Sequence, residues 1–222
     1  KVTIKMAILI VPIQTILALL FAVAINRKKR IYKFFRVVYF IPAITSFVAV
    51  AILWKQLLNP SFGLVNSILE SLGLPRSQFL SAIPDAFYST VFVCIWKSWG
   101  YFMVIFISGL QDIPSDVKDA TRIDGANSFQ ELIYITIPML RKTTLLVIVV
   151  TTMDAIKLFV PAYTMTAGGP IGTTTTTVYY VWRQAFRLSE IGPASAMSIL
   201  LFVIIGIIVI LQFKIGGEEQ YE

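Results

Sequence analysis

The sequence predicts an all-α integral membrane protein, a polytopic bundle of about five transmembrane helices. Of its 222 residues, 57% are apolar and only 14% are charged, whereas soluble domains are nearer a quarter charged. The apolar residues gather into five stretches, each long enough to cross a hydrocarbon core of about 30 Å as a helix. The Lys and Arg residues behind the net charge of +7 lie mostly at the edges of those stretches. That placement is typical of topogenic charge rather than of nucleic-acid binding.

The five predicted spans follow one another along the whole chain. They cover residues 6–25, 37–58, 86–110, 143–163 and 191–213. The second contains Pro42, which neighbouring helices can accommodate inside a membrane. The third is apolar except for Lys97, and the fourth is the weakest because it holds Asp154 and Lys157. A buried soluble helix could imitate any one of these stretches, but five together favour a membrane protein.

The connecting segments predict the orientation of the spans. Residues 26–36, "NRKKRIYKFFR", hold six Lys or Arg, so the positive-inside rule places them in the cytoplasm. Residues 111–141 and the C-terminus then lie inside, and residues 161–190 lie outside. Because five spans leave Lys1 outside, we expect a further span upstream of it.

The content of Cys and His excludes several classes of function. The sequence has no His and a single Cys, Cys94, which lies among apolar residues and predicts simple packing. There is no His-based metal site and no Ser-His-Asp or Cys-His catalytic set. The phosphate-binding pattern G-x-x-x-x-G-K-[ST] is also missing. We therefore expect no enzyme and no cofactor bound by this chain itself.

A polar segment, residues 111–138, interrupts the apolar spans and predicts two short helices. Pro114 suits the first turn of a helix that runs to about Asp124. Gly125 ends that helix, since glycine adopts the left-handed conformation without a Cβ penalty. The expected apolar stripe of this first helix is Ile113, Val117 and Ala120.

The second short helix has its own start signal. Ser128 and Glu131 form an S-x-x-E capping box, and the helix ends near Pro138. Its apolar stripe is Phe129, Leu132 and Ile133. Exposed apolar stripes require a partner, and the five acidic residues nearby favour a protein over an anionic membrane surface.

This segment resembles the EAA loop of permease subunits of binding-protein-dependent ABC importers. That motif reads Glu-Ala-Ala, three residues, Gly, nine residues, Ile, any residue, Leu, Pro. Here Asp119, Ala120 and Thr121 are followed after three residues by Gly125, and after nine more by "ITIP" at residues 135–138. The spacing is complete, although Asp replaces Glu and shortens the reach of that carboxylate.

Other segments are similar to the carbohydrate branch of the same family. They are "RVVYFIPA" (36–43), "WKQLLNPSFGLVN" (54–66), "IDGA" (123–126) and "TAGGP" (166–170). The resemblance covers nearly the whole chain, from the family's second span to its C-terminus. It implies a single ABC type I importer transmembrane domain, residues 1–222, in the bacterial cytoplasmic membrane.

The resemblance also implies partners and site residues. Residues 111–138 would be the coupling loop, which docks on an ABC ATPase dimer that binds ATP and Mg²⁺. A second homologous permease and an extracytoplasmic solute-binding protein would complete the importer. The expected coupling residues are Asp119, Ala120, Thr121, Gly125, Ala126, Phe129, Leu132, Ile133 and Pro138.

Charged and aromatic residues inside the spans are candidates for the substrate path. Lys97 should face the protein interior or a water-filled path, because a charge at mid-membrane costs at least ~2.5 kcal/mol. Asp154 and Lys157, at i and i+3, either form a structural ion pair or line that path. Three aromatic neighbours could stack on a sugar or serve only in packing. They are Trp96, Trp99 and Tyr101.

The sequence thus favours a permease subunit for a sugar or related solute. Disaccharides, oligosaccharides, polyols and phosphorylated glycerol derivatives all fit this branch, and the second permease can be identical or different. The alternative is a channel-like or structural membrane protein that docks a different cytoplasmic partner. A membrane-embedded enzyme would need a nucleophile–base pair or metal set that the sequence lacks.

Overall fold

The structure, a computed structural model, describes residues 1–26, 30–117, 121 and 125–217. The elements within these ranges are helical. In chain order they are α1 (Val2–Ile25), α2 (Arg30–Ile44), α3 (Phe47–Leu57), α4 (Leu64–Ser71), α5 (Asp85–Gln111), α6 (Ser128–Met139), α7 (Arg141–Ile156), α8 (Thr177–Arg187) and α9 (Ile191–Gly217). The middle of α6, Glu131–Thr136, is a π-helix, and a second π-helical turn lies at Ala162–Thr166.

Within the described part of the chain, three single helices are long and apolar enough to cross a membrane. These are α1, α5 and α9, and two bent pairs, α2 with α3 and α6 with α7, bring the candidate spans to five. The all-helical membrane fold is therefore confirmed. The five candidate spans agree with the predicted number, but two of them are bent, the α2–α3 pair by 95° and the α6–α7 pair by 68°.

The second predicted span, 37–58, breaks at residues 45–46. Pro42 lies near the end of α2 and cannot donate a backbone hydrogen bond. The hydroxyl of Thr45 then donates to the carbonyl oxygen of Ile41 at 3.0 Å, and Ser46 is extended, with φ −53° and ψ 129°. The backbone therefore leaves the helix and restarts at Phe47 in a new direction.

The fourth predicted span, 143–163, is also shorter than expected. The helix α7 ends at Ile156, and Lys157 adopts φ −82° and ψ 6°. Pro161 follows four residues later and lies just before the π-helical turn. Residues 158 and 159 have no regular structure and the helix restarts at Val160, so this span is helical over only part of the predicted length.

The helix α5 lies at the centre of the bundle and packs against α1, α2 and α7. Its largest buried side chains, Phe102, Met103 and Phe106, contact small residues of α1 such as Ala18 and Ala22. Small residues allow membrane helices to approach closely. At the α2–α5 crossing, Gly100 lies so near the carbonyl oxygen of Tyr39 that a Cβ would overlap it.

The start of α1 meets the start of α8. Thr3, at the start of α1, accepts a hydrogen bond from the backbone N–H of Thr177, at the start of α8, at 2.9 Å. Their hydroxyl oxygens also lie 2.9 Å apart. The last helix, α9, packs on α7 and α8, but only 6% of its apolar window is buried within the chain. Most of its surface is therefore available to lipid or another subunit.

Candidate functional site

The turn at Gly125 has the conformation that the sequence predicts. Its φ is +77°, and the N–H of Ala126 donates to the carbonyl oxygen of Thr121 at 3.2 Å. That bond joins residues five apart, the outer bond of a Schellman helix end. Thr121 is buried, and its hydroxyl donates to the carbonyl oxygen of Val117 at 2.7 Å. This local bonding fixes the chain direction at Gly125.

The first short helix of the loop is only partly visible. Residues 115–117 and 121 are helical, whereas Asp119 and Ala120 lie outside the described residues. Ile113 is buried in the same cluster as Leu110 and Leu140. The loop is therefore joined to the bundle through the end of α5 and the bend before α7.

The capping box of the second loop helix lies one residue earlier than the sequence predicts. The side-chain oxygen of Asn127 accepts hydrogen bonds from the N–H groups of Phe129, at 3.1 Å, and Gln130, at 2.9 Å. The side-chain oxygen of Gln130 accepts from the N–H of Asn127 at 2.8 Å. The prediction of Ser128 and Glu131 as the box is wrong, because the extended residue that an N-cap requires is Asn127, with ψ 165°.

The π-helical segment of α6 changes which apolar residues face outward. Phe129 and Ile133 are exposed, as the predicted stripe requires, but Leu132 is half-buried. Pro138 is exposed near the end of α6. Tyr134 and Ile137 are exposed as well, although the sequence analysis did not select them. We call Phe129, Ile133, Tyr134 and Ile137 the loop face.

A cavity of about 300 Å³ opens between α1, α5, α7 and the start of α3. Its polar lining is Gln14, Lys97, Ser98, Thr151, Asp154 and Lys157. The rings of Phe47 and Phe159 also line it. The cavity therefore brings together the three charged residues that the sequence selected and adds three neutral polar groups.

Lys97 is held at the break between α2 and α3. Its ammonium donates to the carbonyl oxygen of Ala43 at 2.9 Å and lies 5.2 Å from the centre of the Phe47 ring. The carbonyl of Ala43 is free for this bond because the last carbonyls of a helix lack intrahelical donors. The break thus supplies the polar partner that a lysine in a membrane span needs.

Asp154 does not form the ion pair that its spacing from Lys157 allows. No contact within 4 Å joins its carboxylate to Lys157 or to Lys97, all three being among the described residues. Lys157 leaves the helix geometry at the end of α7, so the i, i+3 relationship is lost.

The three aromatic residues that neighbour Lys97 lie outside the cavity. Their ring partners are Trp54 for Trp96, Phe21 and Tyr39 for Trp99, and Phe40 for Tyr101. Consecutive positions on a helix point in different directions, so nearness in sequence to Lys97 did not place them beside it. The rings at the cavity are instead those of Phe47 and Phe159.

Comparison with known proteins gives the class of this chain. Residues 14–215 match the family model described as "Binding-protein-dependent transport system inner membrane component". The chain belongs to this family, which confirms the resemblance found in the sequence. It is a membrane-embedded permease subunit of the ABC importer type.

Individual relatives are sugar permeases. The chain is 33% identical to the trehalose/maltose transport system permease protein MalF of Thermococcus litoralis, over 97% of this chain and 72% of MalF. It is 32% identical to the multiple sugar-binding transport system permease protein MsmF of Streptococcus mutans, over 93% and 71%. It is 30% identical to the lactose transport system permease protein LacF of Rhizobium radiobacter, over 95% and 72%.

Solved structures confirm the fold. A chain of a bacterial ABC transporter involved in the import of the acidic polysaccharide alginate superposes with a TM-score of 0.89 at 22% identity. The match covers 99% of this chain and 78% of that one. The same alginate transporter in complex with an alginate pentasaccharide-bound periplasmic protein gives a TM-score of 0.88, also at 22% identity. That match covers 100% of this chain and 78% of the other.

Proposed function

We propose that this chain carries a sugar or related solute through the cytoplasmic membrane as one permease of an ATP-driven, binding-protein-dependent importer. The observation that carries the proposal is the polar cavity between α1, α5 and α7, at the level where α2 and α3 break. Broken membrane helices commonly flank the substrate site of a transporter, because their free backbone groups can meet polar partners.

The lining of the cavity suits a carbohydrate. Gln14, Ser98 and Thr151 offer neutral hydrogen-bonding groups, and Phe47 and Phe159 offer flat apolar surfaces. A volume of about 300 Å³ is at the lower end of small-molecule sites. The names of the relatives, which include trehalose, maltose and lactose, support the same class of solute.

The second part of the proposal is coupling through residues 111–138. The loop face would dock on a separate ATPase dimer, which binds ATP and Mg²⁺. Gly125 and the capped start of α6 would hold the loop at a fixed angle, so that movement of the ATPase reaches the spans. Asp119, Ala120, Thr121 and Ala126 would complete the motif around this turn.

The remaining partners are inferred from the exposed surface of the chain and from its proposed orientation in the membrane. One chain with a cavity of this size does not enclose a transport path, so a second homologous permease would complete that path. The exposed sides of α9 offer one surface for lipid or for that subunit. An extracytoplasmic binding protein would deliver the solute. In the proposed orientation the loop and the C-terminus are cytoplasmic and residues 1–222 form a single domain.

The test uses the complete complex, expressed from its own operon and purified through a tag on this subunit. Phe129→Asp places a charge on the loop face, and Phe62→Asp makes the same change at a side chain that is equally exposed, 69% in both cases. We expect Phe129→Asp to lose the ATPase subunit and ATP-dependent sugar uptake, whereas Phe62→Asp retains the ATPase. Mass spectrometry and uptake into proteoliposomes measure both.

Two results would overturn the proposal. A stable wild-type complex without any ATPase would remove ATP-driven import, and sugar flux that needs no ATP would favour the channel-like alternative. Retention of the ATPase at wild-type level in Phe129→Asp would remove the loop face as its docking site.

A further inference from the structure

The residue Gln14 is buried in the middle of α1 without a protein partner. Its side chain is 2% exposed and lines the cavity, yet it forms no hydrogen bond with any residue in the described part of the chain. Neither amide atom of Gln14 is among the side-chain atoms that are both fully enclosed and unpaired, so the amide opens onto the space of the cavity. The neighbouring Thr15 is also buried, with an unpaired hydroxyl, but it does not line the cavity. Gln14 therefore differs from Thr15 in having a space where a partner can bind.

Two of the other polar groups of the cavity, Lys97 and Thr151, are already partly committed. The ammonium of Lys97 donates to Ala43, and the hydroxyl of Thr151 donates its one proton to the carbonyl oxygen of Val147 at 2.6 Å. Thr151 can then only accept, and Asp154 as a carboxylate can only accept. The primary amide of Gln14 can donate two hydrogen bonds and accept others, and all of that capacity is free.

A hydroxyl group is the natural complement of such an amide. Each sugar hydroxyl donates one hydrogen bond and accepts others, so an amide can satisfy both functions at once. A site that hydrogen-bonds a hydroxyl discriminates strongly against an analogue that lacks it, because the buried group is then left unpaired. Gln14 has the burial that makes this discrimination effective.

We propose that Gln14 is a specificity-determining residue that hydrogen-bonds one hydroxyl of the transported solute from the α1 side of the cavity. This inference rests on the proposed function and adds to it a residue on α1, opposite the charged residues of α5 and α7. Gln14 is a positioning group for the solute: it fixes the orientation of a ring whose flat face lies against Phe47 or Phe159.

The test compares solutes that differ by one hydroxyl in the complete importer, with its partner permease, ATPase and binding protein. The probes are maltose, trehalose and lactose, each with its set of monodeoxy analogues. Gln14→Met keeps the size of the side chain but removes the amide. Gln212→Met is the matched control, since Gln212 is a membrane glutamine whose amide donates to Thr152 at 2.9 Å outside the cavity.

We expect the wild-type complex to transport one parent sugar better than a particular deoxy analogue. In Gln14→Met the transport KM for the parent should rise roughly three- to tenfold, the value of one lost hydrogen bond, while the KM for that analogue stays unchanged. The preference between the two then disappears. Subunit recovery should remain at wild-type level in Gln14→Met, and Gln212→Met should keep the preference.

A second variant guards against misfolding. Gln14→Asn keeps an amide but withdraws it by one methylene, and it should lose the same preference. If either variant assembles and still prefers the parent over every deoxy analogue as the wild type does, the inference is wrong. If the wild-type complex contains no ATPase, or its sugar flux needs no ATP, the proposed function fails and this inference falls with it.

Discussion

At the scale of single residues, the cavity is defined by groups that a membrane span rarely contains. Lys97 and Asp154 could be selected from the sequence because a charge inside an apolar stretch is costly unless it faces a polar space. Their partners could not be selected. The carbonyl of Ala43 becomes available only because α2 ends one residue later, and that end depends on local backbone geometry.

Two further differences between the residues that the sequence selected and those that line the cavity share one cause. The sequence pointed to Trp96, Trp99 and Tyr101 because they neighbour Lys97, and it passed over Gln14, which lies on another helix. Residues meet in a helix bundle through the faces that their helices present, not through nearness along the chain. Which faces meet depends on the packing of α1 and α5, and the sequence alone does not give it.

The close crossing of α2 and α5 gives the prediction at this scale. Gly100→Ala should destabilise the purified complex by about 1–3 kcal/mol and so lower its Tm. The added methyl overlaps the backbone of Tyr39, which cannot rotate away. The matched control is Gly206→Ala in α9, where a Cβ meets nothing within 4 Å. That change should leave Tm unchanged or raise it slightly, since alanine favours the helix. Equal Tm values for the two variants would show that the crossing is looser than the structure has it.

At the scale of elements, the lengths of apolar stretches predicted the spans well and their shapes poorly. Mean hydropathy measures how apolar a stretch is. Its value is the same whether the stretch forms one straight helix or a bent pair of helices. The 95° bend after α2 depends on Pro42 and on the hydroxyl of Thr45 replacing a backbone donor. The π-helical segments in α6 and at Ala162–Thr166 could not be predicted, because the spacing of apolar residues there does not distinguish a π-helix from an α-helix.

The start of α6 gives the prediction at this scale. Asn127→Ala should destabilise the first turn of α6 by about 0.5–2 kcal/mol, since the side chain of Asn127 accepts two backbone hydrogen bonds there. Ser128→Ala should have little effect, although the sequence selected Ser128 as the cap. Hydrogen exchange at the amides of Phe129 and Gln130 measures the difference. Faster exchange in Ser128→Ala than in Asn127→Ala would restore the sequence-based assignment.

At the scale of the whole molecule, composition and one motif were sufficient for the class of protein. The scarcity of charge fixed the membrane environment, and the spacing from Asp119 to Pro138 indicated the family that the comparisons confirm. The transport path that the partner subunits would complete could not be predicted in the same way. It requires surfaces that one chain presents to its partners, such as the exposed sides of α9.

The proposed orientation of the bundle gives the prediction at this scale. The chain has a single cysteine, so Cys94→Ala provides a background without thiols. In that background, Ser71→Cys should react with a membrane-impermeant maleimide in intact cells, and Ser128→Cys should react only after lysis. Both serines are exposed, and the proposed orientation puts them on opposite sides of the membrane. The reverse labelling pattern would mean that the chain has the opposite orientation. Labelling of both sites in intact cells would contradict the placement of the two serines on opposite sides.

The hydrogen bond between Thr3 and Thr177 has a consequence for how the protein is made. The two residues are 174 positions apart, and a ribosome adds about 5–20 residues per second. Thr3 therefore waits roughly 9–35 s after its own synthesis before this contact can form, by the same rate. During that interval Thr3 and Gln14 have no final surroundings, so the nascent α1 depends on the insertion machinery or on early pairing with α5 to keep its polar groups out of lipid.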